Sequence, residues 1–149
     1  MPINFQLEYV AEDGSKKRPI MIHRVCYGSI ERFIGVLTEH FAGKFPTWMA
    51  PMQVKVLPVS DKSLDYATKV HEALRALHVR CVLDDTSEKI GYKIRKARQV
   101  DRVPYMIIIG EKEVTENTIS VRDRATDETT TYTLDEFIAK LMKEIKDRV

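Results

Sequence analysis

Arg32 stands at a position where the electrostatics of a helix favour an acidic side chain. An apolar helical face begins just before it and comprises Ile30, Phe33, Ile34, Leu37 and Phe41. Ser29 precedes this face as a candidate N-cap, so Arg32 becomes the third helical residue, where a capping box would place Glu or Gln. Local helix chemistry therefore gives no reason for this arginine.

Basic residues also cluster on a helix predicted from about residue 88 to residue 99. Lys89, Lys93 and Lys96 share one face of this helix at i, i+4 and i+7 spacing. Three arginines add charge nearby: Arg95, Arg98 and Arg102. The pattern fits a solvated outer face as well as it fits a platform for the backbone phosphates of a nucleic acid.

A predicted strand at residues 118–124 carries a third group of candidates. Arg122 and Arg124 project from one of its faces and could hydrogen-bond the bases of a single-stranded loop. Glu113, shortly before the strand, could accept a hydrogen bond from an exocyclic amine of a base. Cross-strand ion pairs with acids such as Asp127 or Glu128 would explain the same arginines at least as well.

Several kinds of chemistry lack their motifs in this sequence. Cys26 and Cys81 form no CxxC pair, and the four histidines are dispersed without HExxH spacing. No glycine-rich nucleotide-binding loop follows a predicted strand. The net charge of +2 does not by itself indicate a nucleic-acid binder. No run approaches the roughly 20 apolar residues of a membrane span, so a soluble cytoplasmic protein is the default expectation.

Hydrophobic periodicity predicts the elements that position these residues. The first part of the chain reads as a β-hairpin, from Phe5 to Val10 and from Pro19 to His23, followed by the helix 30–42. Strands and helices then alternate, with strands at 53–59, 79–83, 103–109, 118–124 and 129–133, and helices at 64–77, 88–99 and from Leu134 onward. This order predicts an α/β fold with a mixed sheet that begins parallel and continues antiparallel.

Two parts of the sequence resemble one enzyme family. PIMIHRVCYGSIERFIGVLTEHFAGKFPTWMAP resembles the end of the catalytic domain of the threonyl-tRNA synthetases, which are class II aminoacyl-tRNA synthetases. It includes the third class-defining motif, which ends in Glu31 and Arg32. The segments VKVLPVSDK, LDDTSEKIGYKIRKA, RVPYMIIIGEKEV and ISVRDR resemble the anticodon-binding domain of the same family.

The resemblance covers nearly the whole chain and implies its domain organisation. Residues 1–45 would be the end of a class II catalytic domain, contributing a hairpin and a helix, and residues 46–52 would be a linker. Residues 53–149 would form a three-layer anticodon-binding domain, with a roughly five-stranded mixed sheet flanked by helices.

The resemblance also implies roles for residues of the catalytic part. Arg32 would brace ATP by stacking on adenine and meeting the γ-phosphate. Gly28 and Ser29 would line the floor of the aminoacyl-adenylate pocket. His23 would be one of the ligands of a catalytic zinc ion that recognises threonine.

In the anticodon-binding part, the resemblance points to four further residues. Glu113 and Arg122 match positions that read anticodon bases. Lys89 lies in the matching loop and helix start, and Ser87 stands where the family often has asparagine.

The family attaches threonine to tRNA(Thr) with ATP and magnesium, carries zinc, and forms homodimers. The first two class II motifs and the other two zinc ligands would lie upstream of Met1. A catalytic zinc needs three protein ligands, so this chain alone is expected neither to activate threonine nor to bind zinc or ATP tightly. The function expected of it is recognition of the tRNA(Thr) anticodon, as the C-terminal part of such a ligase. A subunit that completes an active site in trans and an accessory or regulatory RNA-binding paralogue stay open.

Overall fold

The computed structural model describes residues 1–148 and divides into two compact units, residues 1–36 and the rest of the chain from Leu37. In the first unit, strand β1 (Tyr9–Val10) pairs antiparallel with β2 (Lys16–Lys17). Helix α1 (Ile30–His40) follows and continues across the boundary between the units.

The predicted strand from Pro19 to His23 is wrong. The hairpin closes with β2, and the run after it is irregular, with Ile20 and Ile22 about nine-tenths exposed. A strand needs a partner for its backbone hydrogen bonds, and no described residue pairs with this run.

A five-stranded sheet forms the centre of the second unit. Its strands are β3 (Val54–Pro58), β4 (Cys81–Leu83), β5 (Tyr105–Ile109), β6 (Ile119–Asp123) and β7 (Thr129–Tyr132). They lie in the order β4-β3-β5-β6-β7; β3 is parallel to β4 and β5, while β6 is antiparallel to β5 and β7. The predicted α/β class with a mixed sheet is confirmed.

Three helices and a 3₁₀ turn at Asp61–Ser63 connect these strands, and a fourth helix follows the last strand. The helices are α2 (Leu64–Ala76), α3 (Ile90–Gln99), α4 (Glu111–Glu116) and α5 (Leu134–Asp147). A capping box begins α5, because Glu136 Oε2 accepts the Thr133 N–H at 2.9 Å and Thr133 Oγ1 accepts the Glu136 N–H at 3.4 Å. The sequence reading did not predict α4.

The two faces of the sheet are covered differently. Helices α2 and α5 pack on one face, around a core that includes Val56, Ile107 and Phe137. Helix α3 covers the β3 and β5 side of the other face, where Leu57 and Met106 are buried. Beyond α3 this face becomes polar, and the strand register places Ser120, Arg122, Thr129 and Thr131 on it. We call these four residues the polar face.

Candidate nucleic-acid interface

Three connections meet at the edge where the parallel strands end. They are the loop 59–63 after β3, the loop 84–89 after β4, and α4 directly after β5. The carboxyl ends of parallel strands lie at one edge of a sheet and are the usual position of binding sites in α/β folds. Ser87 and Lys89 lie on the second loop and Glu113 lies on α4, so three of the predicted site residues belong to this carboxyl edge.

Glu113 joins α4 to strand β6. Its Oε2 accepts the Gly110 N–H at 2.9 Å, and its Oε1 accepts the Ser120 hydroxyl at 2.8 Å. Partial burial opposes ionisation, but the hydrogen bonds from Ser120 and Gly110 outweigh it and hold the pKa of Glu113 below its ordinary value. The side chain is therefore an ionised acceptor in a fixed position. Because a carboxylate offers about four lone-pair sites, it retains capacity for a ligand.

Arg122 is held on the polar face by an ion pair. Its Nε and Nη2 lie 3.0 and 2.9 Å from Asp127 Oδ1, and Arg98 Nη1 lies 3.0 Å from the other oxygen of the same carboxylate. The hydrogen bond from Arg122 lowers the pKa of Asp127. The sequence reading that paired Arg122 with Asp127 is confirmed. The pair leaves about a quarter of the Arg122 side chain exposed, two residues along β6 from Ser120, the partner of Glu113.

Arg124 has a different position from the one predicted. It follows β6, and its guanidinium donates to the carbonyl oxygens of Arg102 (2.6 Å) and Phe45 (2.7 Å). These bonds fasten the segment before β3 to the rest of the unit, so the side chain is occupied by the protein backbone.

The basic face predicted for the third helix is wrong in one position. Lys93 is buried, with 4% of its surface exposed, and shares the inner side of α3 with Ala97. Its Nζ donates to the Asp84 carbonyl oxygen at 2.9 Å and to the Pro58 carbonyl oxygen at 3.3 Å. Lys89 and Lys96 are exposed, so the solvated basic surface is smaller than the sequence pattern indicated.

A buried ion cluster beneath the loop 84–89 was not predicted. Lys55 Nζ lies 2.6 Å from Asp101 Oδ2 and 3.2 Å from Asp84 Oδ2. Asp84 Oδ1 also accepts the Thr86 hydroxyl at 2.5 Å. The cluster fixes the point at which the chain leaves β4 and enters the loop that carries Ser87. The one signal in the sequence is a lysine between two valines of the strand VKVLP.

Opposing effects set the charges of this cluster. Burial lowers the pKa of Lys55, but the carboxylates of Asp101 and Asp84 outweigh it and hold that pKa above its ordinary value. Burial raises the pKa of Asp84, but the Thr86 hydroxyl and the Lys55 ammonium outweigh it and hold that pKa below its ordinary value. Lys55 and Asp84 are therefore both charged near neutral pH.

Two clefts flank the loop 84–89. One, of about 250 Å³, lies between this loop and the loop 59–63 and has Lys93 in its lining. The other, of about 330 Å³, is bounded by the loop and by Tyr92 and Lys96 of α3. Ser87 is exposed and lines both clefts.

The residues that resemble a catalytic site lie in the first unit. Ser29 caps α1 as predicted, because its Oγ accepts the Arg32 N–H at 3.3 Å, and it also donates to Glu31 Oε2 at 2.7 Å. This hydrogen bond lowers the pKa of Glu31. Gly28 precedes the cap with φ of +68°, a backbone conformation that glycine adopts readily. The Arg32 side chain is exposed and has no polar partner among residues 1–148.

A zinc site is not formed by the residues present. His23 is exposed, and nowhere in residues 1–148 do three His, Cys, Asp or Glu side chains come together as possible ligands of one metal ion. Since catalytic zinc requires three protein ligands, His23 alone does not fit that group. No helix within residues 1–148 has the length and apolar character that a membrane span requires.

Comparison with known proteins agrees with this fold. Residues 53–144 match the family described as Anticodon binding domain. The threonine–tRNA ligase of Caldanaerobacter subterraneus subsp. tengcongensis is 58% identical over 145 residues, which are 97% of this chain and 22% of that protein. That of Clostridioides difficile is 56% identical over 148 residues, covering 99% of this chain and 23% of that protein. The chain thus spans less than a quarter of the length of these relatives.

A solved structure extends the agreement to three dimensions. The crystal structure of the RNA binding domain of threonyl-tRNA synthetase from Cryptosporidium parvum Iowa II aligns with a TM-score of 0.76 and 36% identity. The alignment covers 95% of this chain and 36% of that chain. The resemblance inferred from the sequence is confirmed, and with the family match over residues 53–144 it leads to one conclusion: this chain belongs to the anticodon-binding domain family.

Proposed function

We propose that this chain recognises the anticodon of tRNA(Thr), as part of a threonine–tRNA ligase. The observation that carries the proposal is the ionised Glu113, fixed between α4 and β6 at the carboxyl edge. Membership of the anticodon-binding domain family and the similarity to threonine–tRNA ligases support it. Residues 53–149 would be the recognising domain, residues 46–52 its linker, and residues 1–45 the end of a catalytic domain.

Each candidate side chain would have its own part in recognition. Glu113 would accept hydrogen bonds from base N–H groups, and Arg122 would donate to base acceptors through the part of its guanidinium that Asp127 leaves free. The Ser87 hydroxyl would bond a base edge from the loop 84–89. Lys89, at the exposed start of α3, would contact backbone phosphate, which contributes affinity but no sequence information.

The same proposal assigns the remaining residues to the longer protein. There, Arg32 would brace ATP bound with magnesium, and Gly28 and Ser29 would line the aminoacyl-adenylate pocket. His23 would be one ligand of zinc, whose other ligands would come from elsewhere in that protein. The longer protein would act in the cytoplasm as a homodimer that binds ATP, threonine and tRNA(Thr). Threonine-dependent exchange of pyrophosphate into ATP by this chain alone would contradict the division of roles proposed here.

Replacing Glu113 with glutamine tests the recognition itself. A capping box accepts Gln as well as Glu, so the fold is retained while one acceptor oxygen becomes an N–H donor. We expect Glu113→Gln to weaken binding of an anticodon stem-loop with a threonine anticodon by about tenfold, the effect of losing one hydrogen bond to a charged group. Fluorescence anisotropy with a labelled stem-loop measures this change.

Glu116→Gln is the matched control, because Glu116 lies on the same helix and is exposed. It should change the dissociation constant less than about twofold, as surface substitutions usually do. A wild-type chain that binds threonine and swapped anticodons equally would contradict the proposed function. A wild-type chain that discriminates, together with a Glu113→Gln variant that discriminates equally well, would contradict the role of Glu113 alone.

A further inference from the structure

A cleft of about 400 Å³ lies at the edge of the sheet opposite the carboxyl edge. It forms where β5 begins and β6 ends, since Tyr105 pairs with Asp123 in these antiparallel strands. Four of the six residues that line it are cationic, namely Lys44, Arg98, Arg102 and Arg124. No carboxylate of the described residues belongs to the lining, and within residues 1–148 only Arg98 of these four forms an ion pair, with Asp127. We call this cleft the basic cleft.

The protein backbone holds two of the guanidinium groups in place. Arg102 Nη1 donates to the Ala42 carbonyl oxygen, and Arg124 donates to the carbonyl oxygens of Arg102 and Phe45. Gly43 leaves room for this arrangement, because a Cβ atom there would lie 2.7 Å from Arg102 Nη1. A guanidinium is always charged and has five N–H donors. Carbonyl partners therefore fix these two side chains without neutralising them.

Helix electrostatics does not account for the other cations of the cleft. Arg98 lies in the last turn of α3, where a positive charge is favourable for the helix. Lys44, Arg102 and Arg124 lie outside the helices. Lys44 is exposed, and its ammonium group has no hydrogen bond or ion pair in the part of the chain that the structure describes. Since like charges repel, bringing these side chains together has an unfavourable energy that a bound anion would offset.

The basic cleft adjoins the polar face. One oxygen of the Asp127 carboxylate pairs with Arg98 of α3, and the other pairs with Arg122 of the polar face. One carboxylate thus faces two guanidinium groups, so positive charge extends from the polar face to the cleft. Strand β6 (Ile119–Asp123) separates this edge from the carboxyl edge by five residues, about 17 Å at the usual rise. An RNA with bases at the carboxyl edge would bring other nucleotides to the basic cleft.

We infer that the basic cleft binds phosphate groups of the RNA backbone at nucleotides outside the anticodon. The phosphate oxygens accept hydrogen bonds from the Lys44 ammonium and from the free donors of Arg102, while Arg124 contributes its charge. Arginine and lysine are usual partners of backbone phosphates, and such contacts orient a nucleic acid without reading its sequence. This inference rests on the proposed function, to which it adds a second contact that supplies affinity and orientation.

Lys44→Gln tests the cleft, because it removes an unpaired charge and leaves the contacts of the arginines in place. We expect it to weaken binding of the anticodon stem-loop about fivefold at roughly 0.1 M salt. The slope of log Kd against log salt concentration should fall by about one, the effect of losing one phosphate contact. Stem-loops with threonine and swapped anticodons should lose affinity by the same factor. Fluorescence anisotropy over a series of salt concentrations measures these quantities.

Lys143→Gln is the matched control. It removes the same charge from an exposed lysine of α5, on the opposite face of the sheet. The net charge of the chain changes equally in the two variants, so a general effect of charge would appear in both. The salt slope of Lys143→Gln should equal that of the wild type.

Uncharged methylphosphonate linkages, introduced one at a time into the stem-loop backbone, locate the contact. For the wild-type chain, one linkage outside the anticodon should weaken binding about fivefold, because it removes the charge that the cleft binds. For Lys44→Gln, the same linkage should weaken binding less than twofold relative to the unmodified stem-loop.

The outcomes separate the two levels of the proposal. A wild-type chain that binds no stem-loop would contradict both levels. One that binds threonine and swapped anticodons equally would contradict the proposed function, and Lys44→Gln would still test the basic cleft. Equal salt slopes for Lys44→Gln and Lys143→Gln, in a chain that discriminates anticodons, would overturn only the cleft. Weaker binding of inorganic phosphate by Lys44→Gln, with stem-loop binding unchanged, would also overturn it, because the cleft would then bind a free anion.

Discussion

Replacing Lys55 with methionine is expected to lower the free energy of unfolding by about 3 kcal/mol, the usual result of removing one partner from a buried ion pair. Lys55 is 4% exposed and neutralises both Asp84 and Asp101. Its loss leaves two carboxylates without a counter-ion, and Asp84 is itself buried. Methionine fills a similar volume, so the change reports on charge rather than on packing. Urea denaturation followed by circular dichroism measures it.

Lys62→Met is the control for this prediction. Lys62 Nζ also lies 3.0 Å from a carboxylate, that of Glu111, but the two side chains are 80% and 66% exposed. Exposed pairs contribute little, so its free energy of unfolding should change by less than about 1 kcal/mol. A Lys55→Met variant as stable as Lys62→Met would show that the buried cluster does not stabilise the fold.

The effect of Lys55→Met on stability should depend on pH, with a definite sign. In the wild type the pKa of Asp84 is below its unfolded value, so its contribution is present above that unfolded value and is lost as the pH falls through the folded pKa. In the Lys55→Met variant, burial raises the pKa of the Asp84 carboxyl above its unfolded value. Protonation in acid therefore increases the free energy of unfolding of the variant relative to its value at neutral pH. The stability difference between wild type and variant should therefore narrow in acid. A difference that stays constant from pH 7 to about pH 4, the ordinary pKa of Asp, would contradict this reasoning.

Elements with strong periodicity were the ones that the sequence predicted best. Helices α1, α2 and α5 start where the apolar spacing places them, and side-chain caps also mark the starts of α1 and α5. Helix α4 has one apolar residue, Val114, in six, and its first turn is fixed instead by the bond from Gly110 to Glu113. At residues 19–23 the sequence predicted a strand that does not form, because an apolar sequence alone does not provide a partner strand.

The candidate site was predictable where its chemistry is local. Glu113 and Arg122 could be proposed from their residue types and spacing, and the Arg122 partner Asp127 is five residues away. The Lys55 partner Asp101 is 46 residues away and becomes adjacent only through the packing of the sheet against α3. Lys93 was assigned to solvent because a pattern of charges does not reveal which lysine finds backbone carbonyls inside the fold. Residue spacing therefore does not predict polar contacts between residues that are far apart in the sequence.

Replacing Phe137 with alanine is expected to lower the free energy of unfolding by about 4 kcal/mol, because it leaves a cavity in a close-packed core. Phe137 is fully buried and makes an edge contact with the ring of Tyr105, with 5.4 Å between ring centroids. It anchors α5 to the face of the sheet opposite the polar face. Stability should therefore fall while the folded fraction keeps its RNA affinity. Urea denaturation and stem-loop binding on the same sample measure both quantities.

Phe137→Leu separates the loss of volume from the loss of the aromatic contact. It retains most of the buried volume, so we expect a loss of about 1.5 kcal/mol or less, as for other swaps that nearly conserve volume. Equal losses for Phe137→Leu and Phe137→Ala would show that the contact with Tyr105, rather than cavity formation, dominates at this site. A selective loss of stem-loop affinity by folded Phe137→Ala would show that α5 determines the geometry of the carboxyl edge through the sheet. The two faces would then not be independent, and the assignment of RNA recognition to one of them would need α5 as well.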